Sequence, residues 1–160
     1  MRANDFTHME GDKVKMVDVG AKEDVLRIAK ARGTIRLTKK TMDLIRAGDV
    51  KKGNVLATAR IAAIQAVKRT WDTIPLCHQI PITGIDADFS MGEDMITATV
   101  EVRSTGKTGV EMEALTGVSV GLLTIWDMVK AVEKDETGNY PETRISDIVV
   151  LSKVKESLKK

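Results

Sequence analysis

Apolar and polar residues alternate with a period of two over several stretches of the chain, as in β-strands with one buried face. The alternation covers Thr34–Leu37, ITGIDADF and MITATVEVR. A short segment rich in Ser, Gly, Glu and Asp separates the last two stretches, which predicts an antiparallel hairpin. A fourth strand is predicted over RISDIVVLSKVK.

Two helices are predicted between the first strand and the hairpin. Thr38 is placed to cap KKTMDLIRAG, which Gly48 closes. Asn54 is placed to cap VLATARIAAIQAVKRTW, whose apolar residues form a broad stripe at helical spacing. The following segment between Pro75 and Pro81 is predicted to be a loop, because proline lacks the N–H that a helix interior needs.

A third helix follows the segment TGKTG. Its GKT resembles the end of a phosphate-binding loop, but such a loop requires a glycine where Glu101 stands. Thr108 and Glu111 have instead the spacing of a capping box. A long helix is therefore predicted from Thr108 to about Glu133.

The element order predicts the fold class. If the first two helices count as one crossover, the order is βαββαβ, which is that of a ferredoxin-like α+β sandwich: an antiparallel sheet with helices on one face. Residues 1–13 are polar and lack periodicity, so we expect a flexible N-terminal arm before a single domain over residues 14–160.

The composition narrows the class of protein. The chain has 160 residues and 42% hydrophobic residues, which suits one globular domain, and its 25 basic and 23 acidic residues are interleaved. Because the charges are interleaved, no basic stripe is expected, and because only 3% of the residues are aromatic, no base-stacking surface is expected. Nucleic acid is therefore not a predicted partner. A single cysteine, no leader and no apolar run of membrane-spanning length predict a cytoplasmic protein without a membrane segment.

Acidic and basic side chains lie at both ends of the long helix. Glu113 and Asp127 point within about 40° of each other, with Lys130 on the same broad face, but they are roughly 21 Å apart along the axis. One small ligand could contact both only if a second, antiparallel copy brought its opposite end alongside. Alternatively, these charges only complement the helix macrodipole.

Two further segments are candidates for ligand binding. Lys51 and Lys52 precede a helix N-terminus, where an anion would be favoured, although a solvated turn explains them equally well. His78 could bind an anion or transfer protons. Cys77 and His78 lack the spacing of a zinc site, so no protein-bound metal is expected.

Three segments closely resemble the cyclic pyranopterin monophosphate synthase family of molybdenum cofactor biosynthesis. They are MVDVGAK, GNVLATARIAAIQAVKRTWDTIPLCHQIPITG and TGKTGVEMEALTGVSVGLLTIWDMVKAVEKD, and the match extends from about Met16 to Lys153. The resemblance implies a ferredoxin-like lyase that converts (8S)-3′,8-cyclo-7,8-dihydroguanosine 5′-triphosphate into cyclic pyranopterin monophosphate and pyrophosphate. It also implies dimers, commonly three in a hexamer, with the substrate at the dimer interface. No cofactor is required, although Mg²⁺ could accompany the triphosphate.

The resemblance also implies roles for individual residues. The catalytic group corresponds to Lys52, Asp127 and Lys130, whose lysines would need a lowered pKa to transfer protons near neutral pH. Glu111 and Glu113 suit hydrogen bonds from guanine-derived N–H groups. The substrate-binding positions are Leu76, Cys77, His78, Glu111, Met112 and Glu113, with Arg27 and Lys153 at the triphosphate and Lys155 as an alternative to Lys153.

Two rival hypotheses come from other classes of protein. The chain could be a noncatalytic ferredoxin-like oligomer that binds a nucleotide or a partner, with its acids and lysines serving only as helix-end charges. RNA binding through the sheet is disfavoured by the missing aromatic platform.

Overall fold

A four-stranded antiparallel sheet with helices on one face forms the main unit of the structure, a computed structural model that describes residues 9–10 and 13–158. The long central helix packs on the inner face of the sheet. In chain order the elements are β1 (Met9–Glu10), β2 (Lys13–Val14), β3 (Val25–Arg36), α1 (Lys39–Ala47), α2 (Val55–Lys68), α3 (Thr70–Thr73), β4 (Ile82–Met91), β5 (Met95–Gly106), α4 (Glu111–Glu133) and β6 (Arg144–Ser157).

The strand order in the sheet is β4-β5-β3-β6, and each neighbouring pair is antiparallel. The chain passes from β3 to β4 through α1, α2 and α3, and from β5 to β6 through α4. This is the βαββαβ arrangement, so the predicted ferredoxin-like α+β class is confirmed. The hairpin of β4 and β5 and the final strand are also confirmed.

The first strand of the sheet is much longer than its alternation predicted. β3 has 12 residues, and pairs with β5 on one side and β6 on the other from its first residue, Val25. Its inward positions include the small residues Ala29, Ala31 and Gly33, all buried. Because these contribute little hydrophobicity, the first half of β3 gives only a weak strand signal in the sequence.

The inner face of the sheet forms the core with α4. Along β5, Ile96, Ala98, Val100 and Val102 are fully buried and alternate with half-buried polar residues that point to the outer face. The buried residues of α4 belong to the same apolar cluster. The alternation therefore places the sheet between a helical layer and a polar outer surface.

Local capping fixes the first two helices as predicted. The Thr38 side chain accepts a hydrogen bond from the Thr41 N–H, and Gly48 ends α1 with a left-handed φ of 76°. The Asn54 side chain accepts from the Ala57 N–H at 2.9 Å. The helix after Asn54 ends at Lys68, earlier than predicted, and a separate short helix follows it.

The predicted start of α4 is wrong by three residues. The helix begins at Glu111, its N-cap is Val110, and no side chain caps it, so the Thr108 capping box does not form. The backbone N–H groups of Glu111 and Glu113 instead favour the charged form of the carboxyl group of the same residue. The end at Glu133 is as predicted.

Glycines on α4 allow α2 and the sheet to approach closely. A Cβ on Gly117 would lie 2.7 Å from Val67 Cγ2, and one on Gly121 would lie 3.0 Å from Phe89 Cζ. The first distance is too short for a side chain, and the second would require the Phe89 ring to shift. The small residues of this helix thus serve packing within the chain.

Helix α4 is long and apolar enough to pass a length-and-composition test for a membrane span, contrary to the expectation from the sequence. Ten of its residues are buried in this fold. Core helices of soluble proteins pass the same test, so this one helix is weak evidence for a membrane span.

Most of the predicted N-terminal arm, residues 1–13, lies outside the described residues. Within the described part, β1 and β2 pair as a two-stranded antiparallel ladder, with Met9 opposite Val14. The flexibility of the arm and the domain boundary at residue 14 stay predictions.

Candidate active site

A charged cluster lies near the C-terminal end of α4. Lys52, in the turn before α2, places its Nζ 2.7 Å from Asp127 Oδ2 and 2.8 Å from the Asp127 backbone oxygen. Lys130 Nζ lies 2.8 Å from Asp127 Oδ1. The fold thus brings together the three residues assigned to the catalytic group, although Lys52 and Asp127 are 75 positions apart.

The cluster is exposed, and its electrostatics are set by ion pairs. Hydrogen bonds from Lys130 and Lys52 lower the pKa of Asp127 to about 2. The hydrogen bond to Asp127 and its negative charge raise the pKa of Lys130. The expectation of a lowered lysine pKa is therefore wrong for Lys130 in this chain, because its nearest charge is a carboxylate and its side chain is 48% exposed.

A cavity of about 290 Å³ lies at the opposite end of α4. It is enclosed by the loop between the two prolines, the first turn of α4 and the segment before β3. The fold brings five predicted substrate-binding residues together in its wall. Its lining consists of Val17, Val19, Lys22, Leu76, Cys77, His78, Thr108, Gly109, Met112 and Glu113.

The acidic groups of this cavity ionise less readily than usual. Burial raises the pKa of Glu113 to about 7, and the nearby charge of Glu111 adds to the effect. Burial, followed by the charge of Glu113, raises the pKa of the Cys77 thiol. Near neutral pH the Glu113 carboxyl group is therefore close to the midpoint of its titration.

A second cavity of about 180 Å³ lies beside the first, and Gly109 lines both. Arg27, Glu111, Lys153 and Lys155 contribute its charged side chains. Both lysines considered for the triphosphate therefore line the same cavity.

Ion pairs and backbone contacts organise this second cavity. Lys153 Nζ lies 3.1 Å from Glu111 Oε1. Burial alone would raise the pKa of Glu111, but hydrogen bonds from its own N–H and from Lys153 outweigh burial and lower the pKa. Arg27 donates from Nε to the Gly106 carbonyl and from Nη2 to the Lys107 carbonyl, both at 2.9 Å. Arg27 thus already holds the chain at the start of α4.

The charged cluster and the cavities are at opposite ends of one helix. Glu113 and Asp127 are 14 residues apart, which corresponds to roughly 21 Å along the axis. A single chain therefore does not bring the Lys52–Asp127–Lys130 cluster into either cavity.

Some cavity residues were missed in the sequence. Lys22, Val17 and Val19 line the cavity from the segment before β3. The signal that could have identified them is the string MVDVGAK, which carried the resemblance but gave no individual roles. Over residues 9–10 and 13–158 the structure places no group of three or more His, Cys, Asp or Glu side chains that could hold a metal ion.

The fold and these sites define a class: ferredoxin-like domains whose longest helix carries candidate sites at both ends. Within this class, the chain belongs to the MoaC family, whose sequence profile matches residues 16–156. The resemblance seen in the sequence is thereby confirmed.

Similar proteins cover almost the whole chain. The probable cyclic pyranopterin monophosphate synthase of Methanosarcina acetivorans is 65% identical over 94% of this chain and 95% of the relative. That of Thermococcus onnurineus is 64% identical over 95% and 97%. A Methanothermobacter thermautotrophicus protein named probable cyclic pyranopterin monophosphate synthase accessory protein is 61% identical over 99% of both chains.

Proposed function

We propose that this chain is a cyclic pyranopterin monophosphate synthase. It converts (8S)-3′,8-cyclo-7,8-dihydroguanosine 5′-triphosphate into cyclic pyranopterin monophosphate, with release of pyrophosphate, in the cytoplasmic pathway to the molybdenum cofactor. The relatives named above support this activity. The observation that carries the proposal is the contact of Lys52 and Lys130 with one carboxylate, Asp127.

The cluster suits phosphate chemistry. Two ammonium groups and one carboxylate leave a net positive charge, which favours the oxygens of a phosphate. Forming the cyclic monophosphate joins a hydroxyl oxygen to the α-phosphorus, releases the hydroxyl proton to water and breaks the bond from that phosphorus to the oxygen of the leaving pyrophosphate. Lys130 is protonated at neutral pH, and its raised pKa holds the proton more firmly, so its role is to neutralise the charge on the phosphate oxygens.

The two cavities suit the two ends of the substrate. The cavity of Cys77, His78 and Glu113 offers a thiol, an imidazole and a carboxyl group as hydrogen-bonding partners to the guanine-derived ring. The cavity of Arg27 and Lys153 offers cations to the triphosphate. No resident cofactor is part of the proposal, and Mg²⁺ would enter bound to the triphosphate oxygens.

The complete site requires two chains. Since roughly 21 Å separates the two ends of α4, a second copy must bring its Lys52–Asp127–Lys130 cluster to the cavities of the first. A two-fold axis creates two such sites in each dimer. We propose that three dimers form the hexamer.

The direct test is incubation of the purified chain with the cyclised GTP precursor and detection of product and pyrophosphate by mass spectrometry. We expect turnover by the wild-type chain and loss of at least about 100-fold in Lys52→Ala and Lys130→Ala, since each removes a transition-state charge contact. Lys40→Ala, on the exposed surface of α1, is the matched control and should keep full activity. Binding of the precursor without any product would instead favour the noncatalytic hypothesis.

Mixing two inactive variants tests the shared site. The Lys130→Ala variant lacks the ammonium group near the C-terminal end of α4. The Glu113→Ala variant lacks the carboxyl group at the N-terminal end. If both ends meet across a two-fold axis, a mixed dimer contains one intact site and one doubly altered site. Random reassembly should then restore about a quarter of wild-type activity. No recovery in demonstrated mixed dimers would contradict the shared site.

A further inference from the structure

Lys107, the lysine of the GKT segment, has no part in the proposed chemistry, but its side chain makes a specific long-range contact. Its Nζ donates a hydrogen bond to the backbone carbonyl oxygen of Gly20, 2.7 Å away. The two residues are 87 positions apart. The lysine that resembles a phosphate-loop lysine thus binds the segment that precedes β3.

The backbone from which Lys107 projects is firmly held. Arg27 donates to the carbonyl groups of both Gly106 and Lys107, and Gly106 is the last residue of β5, opposite Val25 of β3. The start of α4 follows four residues after Lys107. The contact with Gly20 therefore ties a segment without regular structure to a rigid base.

The segment over residues 15–24 contains no helix or strand, so no backbone ladder fixes its position. It is folded by short-range hydrogen bonds: the Gly20 N–H donates to Asp18 Oδ1 at 2.7 Å, and the Lys22 N–H donates to the Val19 carbonyl at 3.1 Å. Val17, Val19 and Lys22 lie in the cavity wall. The position of this segment therefore determines how far the cavity is closed.

We propose that Lys107 is a positioning residue that holds the segment over residues 15–24 against the cavity of Cys77 and Glu113, and thereby places Lys22 in the cavity wall. Closure of the cavity is a property of the chain itself. Its consequence for substrate binding rests on the proposed function.

The single cysteine of the chain provides a readout that does not depend on activity. Cys77 lines the cavity, and burial raises the pKa of its thiol, so modification by an aromatic disulfide reagent should be slow while the segment is in place. Lys107→Met should raise the modification rate about three- to tenfold, the effect of losing one hydrogen bond from a charged donor at a partly exposed site. Lys107→Arg should keep the rate within about twofold of wild type, and Lys40→Met is the matched surface control.

Hydrogen exchange distinguishes a displaced segment from a disturbed fold. In Lys107→Met we expect faster amide exchange over residues 15–24 with unchanged exchange in α2. If Lys107→Met also loosens α2, Lys107→Gln, which shortens the side chain and keeps a polar donor, replaces it. A thiol rate within twofold of wild type in the folded variant, or an increase that Lys107→Arg shares, overturns the proposal.

Kinetics connect the closure to the substrate. Lys107→Met should raise KM about threefold or more, with a smaller change in kcat, because the segment lines the cavity proposed for the guanine-derived ring and not the cluster around Asp127. Wild-type protein that turns over no precursor contradicts the proposed function, but the thiol and exchange measurements still decide the role of Lys107.

Discussion

Glu133, the last residue of α4, is a buried carboxylate whose removal tests how the helices are joined to the sheet. It is only 4% exposed and accepts hydrogen bonds from the Thr38 N–H at 3.1 Å, from Thr38 Oγ1 at 2.8 Å and from Thr143 Oγ1. These contacts join the end of α4 to the start of α1 and to the segment before β6. We expect Glu133→Ala to lower the free energy of unfolding by about 3 kcal/mol.

The magnitude follows from the number and type of these bonds. A hydrogen bond to a charged acceptor contributes about 1.5–3 kcal/mol, but the three bonds share one carboxylate, so their contributions do not add. The Thr143 hydroxyl is 6% exposed and would lose its acceptor, whereas Thr38 keeps a contact with Thr41. About 3 kcal/mol corresponds to a fall in Tm of roughly 6–12 °C for a chain of this size.

Urea denaturation followed by circular dichroism measures the loss, at constant protein concentration because the proposed self-association would add to the apparent stability. Glu136→Ala, an exposed position three residues further on, is the matched control and should change the free energy by less than about 0.5 kcal/mol. A loss below about 1 kcal/mol in Glu133→Ala, with an unchanged dependence on urea, refutes the reasoning.

Two further predictions concern a titrating group and a close contact. The folded-state pKa of Glu113 is raised to about 7 from 4.5, so its burial lowers stability as the pH rises from about 4.5 to 7. Glu113→Gln should therefore gain stability relative to wild type over that range, by up to about 3 kcal/mol in thermal denaturation, and an equal difference at all pH values contradicts this. Gly33→Ala should lose about 1–3 kcal/mol in urea denaturation, because its Cβ would lie 2.7 Å from Val118 Cγ1 and 2.9 Å from both Ile148 Cγ1 and Leu122 Cδ1. If Gly33→Ala has wild-type stability, the three neighbouring side chains move aside at little energetic cost and the prediction is wrong.

The parts of the fold that depend on local chemistry could be predicted from the sequence. Thr38 and Asn54 cap their helices through side chains that reach only three residues ahead. The hairpin follows from alternation on both sides of a short turn. The predicted start of α4 is wrong because the spacing of Thr108 and Glu111 satisfies a local rule, whereas in the fold Val110 is the N-cap and no side chain caps the helix.

The candidate site could be predicted only in part. The family resemblance identified residues that the fold collects at the two ends of α4. It could not predict the hydrogen bonds between Glu133 and Thr38, which are 95 positions apart, or the contact of Lys107 with Gly20. It also could not give the raised pKa of Lys130, since that depends on which charge the folded chain places beside the ammonium group.

The charges of α4 also decide between a functional and a purely structural interpretation. The helix macrodipole favours acids at the N-terminus and bases at the C-terminus, which accounts for Glu111 and Lys130. It does not account for Asp127, an acid near the C-terminal end that pairs with two ammonium groups, or for the burial of Glu113, which is 3% exposed and has a raised pKa although it lies in the first turn. Since the dipole explains neither the position of Asp127 nor the burial of Glu113, and each lies at one of the proposed sites, the arrangement favours a helix whose ends serve ligand chemistry.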